Sequence, residues 1–247
     1  MKERILLLGS KGRLASFIKK IKPEAIGYDK DEVDISDKEQ ITNLIEKENP
    51  SLIINCAALT DLEYCEDNPE ECWKVNALAV KYITEAAKKI NAKLIHFSSN
   101  AAINPVNEYG KAKLASESFV KDKGLVIRTD IYDTKTFLIN KLLFTEEKIN
   151  AYNDIFFNPI YMGTMAELIF KLKDKTGILN IVTKEKISFY EFVLKICEIF
   201  NIDQSRVIPV KYNENQKVKR QKELYLKPDI NISIDEDLRR FKNDLKR

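Results

Sequence analysis

A chain of 247 residues has room for one large domain, or for a large domain with a smaller lobe beside it. With 44% hydrophobic and 32% charged residues and a formal net charge of +3, lysines and acids are interspersed, which argues against a nucleic-acid partner and against a membrane surface. The four cysteines show no Cys-x-x-Cys spacing and His96 is the single histidine, so no metal site is expected, and the thiols read as reduced and cytoplasmic. No apolar run reaches the length of a signal-peptide core or a membrane span, and no internal repeat is visible.

Arg4 to Leu8 is a short continuous apolar run, the mark of a strand buried on both faces. It leads into Gly9-Ser10-Lys11-Gly12-Arg13-Leu14-Ala15 and then a helical pattern. Strand, glycine turn and helix are the context in which Gly-x-x-Gly-x-x-Ala lets the backbone approach a pyrophosphate at a helix N-terminus, although an ordinary strand–helix turn reads the same way. Ala25 to Tyr28 is a second strand ending at Asp29, an acid placed to bind an adenosine ribose; Lys30, Lys11 and Arg13 offer the opposite choice, a 2′-phosphate. Ser36 and Glu39 have capping-box spacing for a helix that buries Ile41, Leu44 and Ile45.

Ser51 to Asn55 is the third strand, followed by the small residues Cys56, Ala57 and Ala58, which suit close packing against a flat ligand. A helix then runs through Trp73 to Ala87; Asn76, polar among apolar neighbours, needs partners if buried, and a bond to a neighbouring loop is the simplest account. Lys93 to Ser98 is the fourth strand, with His96 read as a satisfied buried histidine and Ser98 and Ser99 delivered to the rim where open parallel sheets bind ligands. Tyr109 and Lys113 follow, one turn apart on a helix reaching Val120, so that an ammonium beside the phenol lowers its pKa and fits it to pass a proton to a carbonyl oxygen. Leu125 to Thr129 is the fifth strand. Alternating strands and helices with short connections predict an α/β, doubly wound parallel sheet of Rossmann type over residues 1–148, and a smaller substrate lobe over 149–247, the boundary being approximate and strands free to interleave across it. In that lobe the patterns predict helices at Thr136–Phe144, Met165–Leu172 and Leu238–Leu245, strands at Gly177–Val182 and Val207–Val210, and a helix capped by Ser188 with Glu191. The basic run Lys217–Lys222 reads as a solvated loop or as a grip for phosphate.

Taken together, LLLGSKGRLA, DEVDISD, PSLIINCAALT, VNALAV, HFSSN, VNEYGKAKLASE, VIRT, NPIY and SFYEF, in this order, resemble the extended short-chain dehydrogenase/reductases and, within them, the dTDP-4-dehydrorhamnose reductases. The resemblance implies that Tyr109 donates a proton to a keto oxygen. It also implies that Lys113 tunes Tyr109 and holds the nicotinamide ribose, and that Ser99, where the family usually has threonine, hydrogen-bonds the reacting oxygen beside Ser98. Gly9, Gly12, Arg13, Leu14, Asp34, Ile35, Ala57, Ala58 and Thr60 match its cofactor site. The cofactor is NADPH or NADH; Lys11, Arg13 and Lys30 tip the choice toward NADPH, and Asp29 toward NADH. The implied partner is a small-molecule nucleotide sugar bearing a 4-keto-6-deoxy ring, and a homodimer is compatible with it. Only nine residues separate Ser99 from Tyr109, where the family usually carries Asp-Tyr-Val-Phe and a long loop. That economy motivates two alternatives: a non-catalytic, cofactor-binding regulatory subunit, resembling that of methionine adenosyltransferase, or a sugar-nucleotide epimerase or dehydratase.

Overall fold

The computed structural model describes residues 3–246. Its first half alternates as the apolar runs require: β1 (Ile5–Leu8), α1 (Arg13–Ile21), β2 (Ile26–Tyr28), α2 (Lys38–Glu48), β3 (Leu52–Asn55), α3 (Leu62–Asp67), α4 (Pro69–Trp73), α5 (Ala79–Lys89), β4 (Lys93–Phe97), α6 (Glu108–Val120) and β5 (Leu125–Arg128). There follow β6 (Ile131–Tyr132), α7 (Phe137–Phe144), β7 (Ile149–Tyr152), β8 (Phe156–Phe157), β9 (Ile160–Tyr161), α8 (Met162–Leu172), β10 (Gly177–Asn180), β11 (Ile187–Ser188), α9 (Phe189–Phe200), β12 (Val207–Val210) and α10 (Ile234–Leu245).

A six-stranded sheet has the order β10-β5-β4-β3-β1-β2, and β1, β2, β3, β4 and β5 pair in parallel. β1 and β3 are buried along their whole length, which is why they are written as unbroken apolar runs rather than alternating ones. Between them the strand order reverses, since β2 lies on one side of β1 and β3 on the other. On one face of this sheet α2 and α5 pack Ile41, Leu44, Ile45, Val80 and Ile83 against Leu6, Leu8 and Ile53.

The chain divides into two compact units, Met1–Arg128 with Ala166–Leu179, and Thr129–Met165 with Asn180–Arg247. This differs from a division at 148. The parallel run ends at Arg128; β6 pairs with β9 instead, and the chain returns to the large sheet through β10. The second unit is built from two-stranded pairings, β6 with β9, β7 with β12 and β8 with β11. Its aromatic core centres on Tyr132, whose ring lies 5.2–5.9 Å from those of Phe192, Phe241 and Tyr161. Ser188 and Glu191 form the expected capping box on α9, and Ser233 with Glu236 forms another that starts α10 four residues earlier than the periodicity suggested. In the basic run, Lys222 pairs with Asp154 and Glu214, as a solvated loop would.

Two local expectations change. The N-cap of α2 is Asp37, not Ser36: its carboxylate accepts the amides of Glu39 and Gln40, while the Ser36 hydroxyl donates to Asp34 at 2.7 Å. A carboxylate that can take two orphan amides at once competes better for that position than a hydroxyl. The helix expected through Trp73 to Ala87 is interrupted by a π-type turn over Lys74–Leu78. That turn carries Asn76, whose side chain accepts from Leu59 N–H at 2.9 Å and donates to Leu59 C=O at 2.8 Å. The loop after β3 is therefore pinned by the buried asparagine.

Candidate active site

The reversal of strand order between β1 and β3 makes a crevice at their C-terminal ends. Gly9 stands there with φ +72°, and a Cβ on it would lie 2.7 Å from both Cα and N of Ala57. Only glycine allows this approach. Gly12 then starts α1 with no side-chain cap on the helix. Close backbones and a helix N-terminus left without a side-chain cap fit the pyrophosphate of a dinucleotide. Asp29, at the end of β2, accepts the amides of Lys11 at 2.7 Å and Lys30 at 2.8 Å, so the acid and the glycine turn are tied together.

Across the rim, α6 carries Tyr109, Lys113 and Glu117 at intervals of four, one stripe along the helix. Its first turn is held from three sides. Asn107 caps Gly110 N–H, the Glu66 carboxylate accepts Glu108 N–H, and Trp73 Nε1 donates to the Glu108 carboxylate. The nine-residue connection from Ser99 lies directly on that turn; a Cβ on Gly110 would come within 2.5 Å of the Ala101 carbonyl. Lys113 is 3% exposed, and its Nζ donates to Phe97 C=O at 2.8 Å. Burial draws its pKa down to about 8, because the charged form loses its water.

A buried run of hydrogen bonds joins the two sides. Ala57 N–H donates to Asn55 Oδ1 (3.1 Å), and Asn55 Nδ2 meets His96 Nδ1 (3.3 Å). His96 Nε2 meets Ser116 Oγ (2.9 Å), which itself donates to Lys113 C=O (2.6 Å). Since the Ser116 proton is committed to the carbonyl, Nε2 carries the His96 proton and Nδ1 accepts from Asn55. His96 is held neutral, its pKa pushed down first by burial and then by the Lys113 charge. It is the satisfied buried histidine of the sequence reading.

The anticipated residues do not all present themselves in the same way. Ser99 is buried; its Oγ accepts Ala101 N–H and donates to Asn100 Oδ1 at 3.2 Å, a contact that another acceptor could replace. Ser98 is engaged differently: its hydroxyl proton is given to Glu117 at 2.6 Å, so toward a ligand its oxygen can only accept. The Leu14 side chain packs in the core, so only its backbone is suited to a phosphate, and Ile35 is likewise buried. The Asp34 carboxylate is turned onto Ser36. Lys11 pairs with Asp31 and Lys30 with Glu71, exposed contacts that a stronger anion could displace. Arg13 and Thr60 are exposed and Ala58 half-buried at the same rim. Glu117, Arg128 and Asn55 belong to these networks without having been assigned a part; the interval of four from Lys113 was the signal for Glu117.

The doubly wound sheet, its glycine turn at the switch point and the Tyr–Lys helix after β4 are the features of the extended short-chain dehydrogenase/reductase class. The chain belongs to the RmlD substrate binding domain family, which matches residues 2–247. It is similar to a dTDP-4-dehydrorhamnose reductase of Aggregatibacter actinomycetemcomitans, 25% identical over 230 residues that cover 78% of each chain. The crystal structure of a dTDP-4-dehydrorhamnose reductase from Clostridium acetobutylicum superposes with a TM-score of 0.89 at 25% identity, covering 99% of this chain and 100% of that one. The enzyme of that name from Bacillus anthracis, in complex with NADP, has the same fold, with a TM-score of 0.89 at 24% identity over 99% of this chain and 100% of that one. Among the described residues no helix is long and apolar enough to cross a membrane.

Proposed function

We propose that the protein reduces the 4-keto group of a 4-keto-6-deoxy sugar carried on a nucleoside diphosphate, with NADPH or NADH as reductant. The observation that carries this reading is Lys113. It is a buried ammonium, fixed to the end of β4 by Phe97, one helical turn from Tyr109 and drawn down to about 8 by burial. A group that exchanges its proton near neutrality suits proton transfer, and burying one without a use is costly. The reductases to which the chain is similar support the substrate class, and the NADP bound by the Bacillus anthracis enzyme supports the cofactor.

A reduced nicotinamide, when bound, supplies the hydride. Gly9, Gly12 and the start of α1 bind its pyrophosphate, and Asp29 with Lys11 and Lys30 meets the adenosine ribose. Ser99 gives up its bond to Asn100 and donates to the keto oxygen, fixing the carbonyl. Tyr109 donates its proton to that oxygen as negative charge develops there. Lys113 stabilises the phenolate left behind.

The test is oxidation of NADPH and of NADH by the purified protein with dTDP-4-dehydrorhamnose. Tyr109→Phe should lower turnover about a thousandfold, the scale of a lost general acid, with dinucleotide affinity little changed. Full turnover by Tyr109→Phe would rule out the proton-transfer scheme.

A further inference from the structure

One buried group beside this site has no part in the scheme above. Glu117 is 2% exposed and lies one turn beyond Lys113 on α6. Its Oε1 accepts from Ser98 Oγ at 2.6 Å and from Arg128 Nε at 2.8 Å, and its Oε2 accepts from Arg128 Nη2 at 2.5 Å. The two-bond fork with a guanidinium is the contact a carboxylate makes, and it fixes both oxygens. Ser98 follows β4 and Arg128 ends β5, so the carboxylate is locked to the rim as well as to the helix.

The surroundings of Lys113 give that charge its importance. Cys72 on α4, Cys56 beyond β3, Glu117 on α6 and Cys65 on α3 are four side chains that act on the ammonium, which in turn acts on neutral His96 on β4. Burial pushes the Cys56 and Cys65 thiols up to about 12 and raises Cys72 as well. All three are therefore uncharged where Lys113 titrates. Glu117 is then the one anion among these four. We propose that Glu117 is a positioning residue for proton transfer: clamped by Ser98 and Arg128, its carboxylate supplies the fixed negative charge that keeps the Lys113 ammonium protonated beside Tyr109. Without it, a buried lysine lined by neutral thiols would lose its proton at a lower pH and stabilise the phenolate over a narrower range. The chemical part of this inference rests on the reductase reading, but the charge coupling does not.

The coupling is measured on the ligand-free protein, by titrating the 13Cε resonance of Lys113 in lysine-labelled samples, with Lys113→Met for assignment. Glu117→Gln retains the shape and removes the charge. Its Lys113 midpoint should fall by about one pH unit, the scale for a unit charge within one or two helical turns at an intermediate effective dielectric. With the keto sugar as substrate, the alkaline limb of kcat/KM should move down by the same amount. A folded Glu117→Gln protein whose midpoint does not move would overturn the proposal, since a purely structural role alters packing and not this titration. If Glu117→Gln fails to fold, Arg128→Gln is read instead. It leaves the carboxylate without its offsetting cation, and the midpoint should rise; no change or a fall would overturn the proposal. Absence of turnover in the wild-type protein would sink the reductase reading while leaving the titration result to stand.

Discussion

Among the described residues, the most deeply buried carboxylate of each unit is hydrogen-bonded, and the contrast between the two is instructive. Asp237, on α10 in the second unit, is 1% exposed and accepts from Tyr132 Oη (2.9 Å), Tyr161 N–H (2.7 Å) and Thr164 Oγ1 (2.5 Å). Glu117, in the first, is clamped as tightly by Ser98 and Arg128. By burial and satisfaction alone the two are alike. They differ in what titrates nearby. The partners of Asp237 are a tyrosine whose pKa burial pushes well above its usual value, a peptide amide and a threonine, none of which changes charge near neutrality. Its own pKa is raised by burial against the pull of its three donors. Glu117 instead faces a lysine drawn down to about 8. A buried charge knits a fold in either place, but it influences chemistry only where a neighbour can exchange a proton.

The sharpest way to break this comparison is Asp237→Ala. It strands a tyrosine hydroxyl, a peptide N–H and a threonine hydroxyl in the core of the second unit, and should cost about 3 kcal/mol or more of unfolding free energy in urea. The Lys113 titration should stay where it is. A displaced Lys113 midpoint would mean that the two carboxylates are not the separate devices described.

Lys113→Met probes the other side. The native pKa of about 8 lies below the 10.5 of an exposed lysine. Between those values the unfolded chain holds a proton that the native protein has shed, so stability contributed by this group rises with pH through that window, and below about 8 the penalty for burying the charge is present in full. Relative to Lys113→Met, the wild-type protein should therefore gain stability between pH 8 and 10.5, up to the order of 3 kcal/mol. Parallel pH curves of unfolding free energy for the two proteins would show that Lys113 is not depressed. The smallest effect is expected of Ser98→Ala, which removes one of three bonds to Glu117 but leaves its charge. About 1 kcal/mol should be lost in the same urea experiment, with the Lys113 midpoint shifted far less than by Glu117→Gln. A shift as large as that of Glu117→Gln would attribute the coupling to geometry and not to charge.

Much of the first unit is legible in the chain because its signals are local. Ile5–Leu8 and Leu52–Asn55 read as buried parallel strands from their unbroken apolar runs, Gly9 as a turn, and Asn76 as a polar group seeking a loop. The cap of α2 is missed since Ser36 and Asp37 both have capping chemistry, and the choice between them depends on how the turn closes onto Asp34. In the second unit the helices are visible by period and by the Ser188–Glu191 box. The two-residue strands β6, β8, β9 and β11 are not, since so short a strand exists only through its partner.

The stretch from Ser98 to Lys113 shows where the division falls. By itself the sequence determined that a tyrosine and a lysine share a helical face after a fourth strand, since that follows from the helical repeat and from strand alternation. Only the tertiary structure decided what each group is bonded to. Ser98 is turned onto Glu117, Ser99 keeps an exchangeable contact with Asn100, and Lys113 is buried against Phe97 among thiols from three other segments. Burial and long-range partners, not residue type or spacing, set the charge of a lysine and the direction of a hydroxyl. Those are properties of segments far apart in the chain that meet only when the sheet has formed.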